Sequence, residues 1–437
     1  MKQYAKIRAL LPYLACLAIS ACGDDSGPSS VDAATLGESP MDAFSADGTA
    51  GGISSIDASA VDGGTGSIRG IAVVHSDYQS SSVSFLDRDG NLVSDGCIHS
   101  GTGTPGLSMT LSEDLALPSQ MPPGSAVVIV DRGNATLTWL DPASCAPLQQ
   151  MSVGTGFAAN PHDYLVLSAS KAYVARYKAN TNATPTPDDF DDGNDLLIVD
   201  PAQAKILGRI DLLPFTPAGV LPRPDRALLI EGKVYLSINA VDAKFSAYAT
   251  GRILVVDPLV DQVIGMIDLP GTKNCGAMTY LPGEKKLLVA CTGDYSSVDG
   301  SAIVILDMSV SPPVVAASLT AASLGGQAFS SATVAAFDSN TIFAVAMGGY
   351  SDVPPDQLWL LAQNGAPASK IFASTVSFVL GSVLVDGERG RVFLTDGTKL
   401  TPAFVRIFDR VAGTFQETAQ IKTNPTQKLP PRGLAWF

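Results

Sequence analysis

Leu196-Leu197-Ile198-Val199-Asp200-Pro201, followed by Ile206-Leu207-Gly208-Arg209-Ile210-Asp211-Leu212, sets two apolar runs on either side of an Asp-Pro turn. Short runs of Val, Ile and Leu about such a turn predict a β-hairpin. The pattern returns as Ile253-Leu254-Val255-Val256-Asp257-Pro258 and Val263-Ile264-Gly265-Met266-Ile267-Asp268-Leu269. Aligning the chain on the Asp that closes each run finds Asp87, Asp141, Asp200, Asp257, Asp307 and Asp409, with a copy ending in Ala362 between the last two. The intervals run from 47 to 59 residues. A repeat of this period decides the architecture before any single motif does.

Each unit holds two more apolar runs upstream. Lys171–Arg176, Lys233–Ile238, Lys286–Cys291 and Arg391–Thr395 predict second strands, and Ala227–Ile230, Ala277–Leu281 and Ser382–Val385 predict first strands. Turn residues separate them, as in Pro282-Gly283-Glu284 and Asp338-Ser339-Asn340. Four antiparallel strands in each of seven units predict an all-β fold, a seven-bladed β-propeller over residues 67–437. A sustained 3.6-residue period is missing, which excludes a coiled coil or helical solenoid. The first unit begins with its second strand, Gly70-Ile71-Ala72-Val73-Val74. The C-terminal Pro431-Arg432-Gly433-Leu434-Ala435-Trp436-Phe437 has the form of the missing innermost strand. Its entry into blade one closes the ring and removes a free sheet edge.

The run from Val127 to Pro142 and on to Met151-Ser152-Val153-Gly154, with Tyr173-Val174-Ala175-Arg176, resembles the YVTN-type β-propeller repeat. The resemblance covers most of residues 67–437. It implies an exported propeller with surface-layer proteins and lactonase-like enzymes among its relatives. It carries no catalytic residue over, because the repeat motif is structural.

Lys2, Lys6 and Arg8 precede a short apolar stretch, Ala9–Ile19, and then Ile19-Ser20-Ala21-Cys22. Charge, apolar run, small residues and Cys stand in the order of a bacterial lipoprotein signal over residues 1–21, with Cys22 acylated. An ordinary secretory signal cut near Ala21 is the alternative. Acyl chains at Cys22 would hold the protein on a membrane, and Gly23-Asp24 after the Cys points to the outer one. Residues 22–66 are rich in Gly, Ser, Ala, Asp and Thr. They cannot bury enough surface to offset ordering entropy, so a disordered tether spanning roughly 35–40 Å is expected.

The formal net charge is −14. An acidic surface repels phosphate backbones and excludes nucleic acid as a partner. The expected partners are the membrane, through the anchor, and an envelope protein or glycan. A monomeric propeller is the expected state.

Beyond Cys16 in the signal and Cys22, four Cys remain in an exported chain. Cys275 and Cys291 are equidistant from Gly283 and should face each other across two strands. Cys97 and Cys145 then pair by default, the alternative being buried free thiols. Strand 2–3 loops and blade-to-blade connections share one face of a propeller. The longer loops, at 177–194, 239–251, 292–301 and 347–356, fall there, so that face is the expected binding surface, with merely tolerated insertions as the alternative reading.

Asp189-x-Asp191-x-Gly193-x-Asp195 spaces oxygen ligands as a weak Ca²⁺ site would. A solvated acidic loop and a salt-bridged contact are the competing readings. Of the three His, His162, with Asp163, enters an innermost strand, where other blades hold Arg223, Asp225, Arg226, Asn274 and Arg432. These seven are the candidates for a polar ring at the channel mouth, with turn capping as the alternative role. Tyr78, Tyr295 and Tyr350 recur after strand two and are read as packing between blades. Nucleophile elbow, His-Glu-x-x-His and Walker motifs are absent. The leading expectation is therefore a non-catalytic binding or scaffold module. A lactonase-like hydrolase with a metal at the channel mouth is the alternative.

Overall fold

The computed structural model describes residues 69–437, apart from 104–105, 125, 185, 187–188, 295–296 and 399–402. The expected signal segment, Cys22 and the tether lie outside the described residues, as do Asp188 and Tyr295. The described chain forms seven four-stranded antiparallel sheets arranged as the blades of a propeller. Blade one contains β1 (Gly70–Ser76), β2 (Ser81–Asp87) and β3 (Leu92–His99), joined by the final strand β28 (Pro431–Trp436). Ile71 pairs with Trp436 and Ala72 with Ala435. The Phe437 carbonyl accepts the Arg69 and Gly70 N–H groups at 2.7 and 3.2 Å. The expected closure is thus the observed one.

Burial explains why the middle strands read as unbroken apolar runs. In blade three, β10 (Gly193–Asp200) is buried at every position because sheets pack on both of its faces. The outermost strand, β11 (Lys205–Asp211), alternates and faces solvent on one side. The core lies between blades. Tyr173 and Leu196 of blade three pack with Leu236 and Leu254 of blade four, for example.

The repeated Asp residues build turns. Asp200 accepts the Ala202 and Gln203 N–H groups at 2.9 and 3.1 Å. Asp87, Asp141, Asp257 and Asp307 accept the N–H two residues on in the same way. Asp409 instead pairs with Arg391 at 2.7 Å and takes the Thr418 hydroxyl at 2.6 Å. Both expected disulfides are present. Cys275 and Cys291 are cross-strand partners with Cα atoms 3.9 Å apart, and Cys97–Cys145 joins blade one to blade two.

Blade two departs from the expected pattern of short strand 1–2 turns. Its innermost strand, β4 (Leu115–Ala116), has two residues, and β5 (Val127–Asp131) follows only after a long excursion. Pro118, Pro122 and Pro123 lack N–H donors and cannot continue a ladder. The freed segment bonds elsewhere. The Ser119 N–H donates to Asp163 Oδ1 in blade three at 2.8 Å. Gln120 Oε1 accepts the Leu229 N–H of blade four at 2.8 Å, and the Leu117 carbonyl accepts Arg226 Nη1 at 3.3 Å. Blade three stands between blades two and four, so only the central channel allows these contacts. The chain of blade two therefore enters the channel.

Candidate functional site at the channel mouth

Innermost strands begin on the same face as the strand 2–3 loops and the connections between blades. His162 sits at the start of β8 (Pro161–Ser168), and Asp225 and Arg226 at the start of β12 (Pro224–Ile230). The structure brings these three together. His162 Nδ1 lies 2.9 Å from Asp225 Oδ1, and Asp225 Oδ2 accepts Asn239 Nδ2 at 3.2 Å. Arg226 Nε is 3.5 Å from Asp225, and its Nη1 donates to the His162 carbonyl at 3.2 Å. The His162 ring stacks on Tyr177 at 4.1 Å between centroids.

Burial pushes the Asp225 carboxyl up, but its bond to His162 and the charge of Arg226 outweigh this and hold it at about 2. Burial lowers His162 below its usual value, against the pull of Asp225. At neutral pH an ionised Asp225 only accepts, so neutral His162 donates from Nδ1. Its Nε2 is then a buried acceptor with no hydrogen-bond partner among the described residues.

The other candidates have different tasks. Asp163 accepts the Ala227 N–H at 2.8 Å on one oxygen and the Ser119 N–H on the other, which ties blades two, three and four. Arg223 is buried and donates to the Val241 and Asp242 carbonyls at 3.3 and 3.2 Å. Its guanidinium lies 4.1 Å from the Phe245 centroid and 5.1 Å from that of Tyr177, so it backs the His162 stack and clamps the loop of blade four. Asn274 is buried in blade five with Nδ2 unpartnered. Arg432 holds the Ser76 carbonyl at 3.0 Å and covers Tyr78 at 4.9 Å.

A side-chain-to-backbone bond crosses every blade junction near this face. Asp163 makes two of them. Ser76 Oγ donates to the Glu113 carbonyl at 2.6 Å, Asn239 Nδ2 to that of Cys275 at 2.8 Å, and Thr395 Oγ1 to that of Arg432 at 3.4 Å. Thr292 Oγ1 accepts the Ser331 N–H at 2.8 Å, and Thr333 Oγ1 accepts that of Val383 at 2.9 Å. Innermost strands expose one row of backbone groups, and these bonds satisfy part of it. Asn239, Tyr177 and the Leu117–Gln120 segment were not among the sequence candidates. Only the proline interruption in blade two marked the last of them.

The Ca²⁺ set Asp189, Asp191 and Asp195 does not assemble. Asp195 stands opposite Arg176 in the strand register and is fully buried against its guanidinium, at 2.7 and 2.5 Å. Asp189 takes the Thr184 hydroxyl at 2.8 Å, and Asp191 the Thr184 N–H at 2.9 Å. Asp192 pairs with Arg209 at 2.5 Å, so salt bridging organises much of the loop. Among the described residues, no group of three or more His, Cys, Asp or Glu side chains is placed to hold a metal. The mouth can offer hydrogen bonds from a fixed polar rim, and His162 Nε2 is an unsatisfied acceptor within it.

No protein-family model matches the chain, and no curated protein does. Among solved structures, the chain is similar to two proteins each described as a "putative 6-phosphogluconolactonase". For the one from Bacteroides uniformis, identity is 11%, the TM-score is 0.53, and the match covers 84% of this chain and 100% of that one. For the one from Bacteroides fragilis, identity is 10%, the TM-score is 0.54, and the coverage is 85% and 99%. At these identities the likeness establishes the seven-bladed propeller fold.

Proposed function

We propose that this chain is a non-catalytic binding module of the cell envelope, lipid-anchored at Cys22 to the outer membrane and engaging a protein or glycan through its long-loop face. The carrying observation is how the mouth uses its ionisable groups. Asp163, Arg223, Asp225 and Arg226 are each engaged with neighbouring side chains or backbone, while loop length varies on the same face. The anchor rests on the sequence at residues 1–22. Replacing Cys22 with Ser should move the protein out of the membrane fraction, and retention there would refute the anchor. Capture from envelope extract should isolate a partner that is lost when the 347–356 loop is shortened.

A second reading, a lactonase-like hydrolase, is favoured by the likeness to the two Bacteroides propellers and by the His162–Asp225 pair. Turnover on a panel of lactones and esters, abolished by His162→Ala, would replace the binding reading with this one. The binding reading expects no turnover.

A further inference from the structure

The long-loop face carries a cleft of about 600 Å³ between the connection leaving blade two and the loop of blade three. This lies within the range of about 300–1,000 Å³ that small-ligand sites occupy. Thr155 lines it from the connection, and Asn180, Asn182, Thr184, Asp189 and Asp191 line it from the loop.

The two walls are tied together without a ligand, and Arg176 does this from beneath. Its side chain is fully buried and all five N–H donors are used. Nε and Nη2 hold Asp195. Nη1 donates to Thr155 Oγ1 at 2.6 Å and the Val153 carbonyl at 3.4 Å, both on the connection. Nη2 also donates to the Phe190 carbonyl at 2.5 Å, on the loop. Thr155 Oγ1 then donates to the same carbonyl at 2.9 Å. A site built this way has less to order on binding, which lowers the entropic cost.

The chemistry of the lining narrows the ligand. Hydroxyls, amides and carboxylates face the cleft, and no Lys or Arg is among its described lining residues. Phosphates and carboxylates are held by cationic donors, which are missing here. A neutral ligand rich in O–H groups fits, donating to the Asp189 and Asp191 carboxylates and the Asn182 oxygen and accepting from the Asn182 amide, while the Thr155 and Thr184 hydroxyls, whose protons go to the Phe190 carbonyl and Asp189, act as acceptors. Phe157 also lines the cleft, with the Arg176 guanidinium 5.2 Å from its ring centroid. It offers the apolar surface on which the C–H face of a sugar ring packs.

We propose that this cleft binds a neutral saccharide. The inference rests on the binding-module reading and names its ligand class. The test is calorimetric titration of the purified full chain with maltotriose, cellotriose and triacetylchitotriose, with 6-phosphogluconate and Ca²⁺ as comparators. At least one trisaccharide should bind with a Kd of about 1 mM or tighter. The exposed-residue variants Asn182→Ala and Thr184→Ala should each weaken it about tenfold at unchanged melting temperature. Gln416→Ala, on the outer strand of blade seven, should leave it unchanged. Failure of all three sugars to bind, or binding indifferent to Asn182→Ala, overturns the proposal. Equal binding of 6-phosphogluconate, or Ca²⁺ binding lost in the same variants, also overturns it. An envelope partner that depends on the 347–356 loop but not on Asn182, with no sugar bound, would remove this proposal and leave the binding module standing.

Discussion

Two residues show how burial sets the behaviour of single groups. His75 is fully buried in β1, with Nε2 2.8 Å from Thr423 Oγ1, and burial lowers it to about 4. An unfolded His titrates near 6.5, so the unfolded chain binds the proton first as pH falls. Stability present above pH 6.5 is lost between 6.5 and about 4, by about 3 kcal/mol for this group. Burial moves His162 in the same direction. His75→Gln should flatten the dependence of urea stability on pH by about one proton across that window. Identical slopes in the variant and the parent would contradict the assignment. Arg176 makes the complementary case. Arg176→Met strands a buried Asp195 carboxylate and should cost about 3–5 kcal/mol. Adding Asp195→Asn should recover part of that loss. A double variant no more stable than the single would show that the stranded charge is not the cause.

At the scale of the element, closure depends on one strand. β28 supplies the innermost position of blade one, and Phe437 packs edge-on against Phe85 at 5.2 Å. The connection before it is also fastened, since Asp95 accepts Asn424 Nδ2 and the Thr426 N–H at 3.0 Å each. Deleting residues 431–437 opens an edge in blade one and should lower the melting temperature of the whole domain. An unchanged melting curve would refute the latch. Blade two shows the opposite device, a strand cut short by prolines whose chain serves the channel. Gln120→Ala removes the acceptor of the Leu229 N–H and should cost about 1–3 kcal/mol, read by urea denaturation.

At the scale of the molecule, the ring is held by seven junctions, and covalent links strengthen it. Cys97–Cys145 closes a separation of 48 residues across two blades, and Cys275–Cys291 one of 16 within a blade. Loop-closure entropy gives about 4 kcal/mol for the first and about 3 kcal/mol for the second. The paired Cys97→Ala/Cys145→Ala variant should therefore lose more stability than Cys275→Ala/Cys291→Ala. The reverse order would show that packing around the buried inner pair outweighs chain entropy.

The sequence alone determined the repeat, the strand count and the closing strand. Those depend on local periodicity and turn chemistry, which Asp200-Pro201 and its copies carry openly. It also determined the Cys275–Cys291 pairing, because a hairpin's register follows from its turn. Tertiary structure decided where side chains converge. His162 and Asp225 are 63 residues apart and meet only because adjacent innermost strands lean on one channel. Arg223, next in line to the same strand, is held instead by Tyr177, Phe245 and two carbonyls of the blade-four loop. Asp195 resembled a metal ligand until the register placed Arg176 opposite it. Charge spacing along a chain cannot reveal a cation arriving from the next strand, and burial then makes that pairing obligatory.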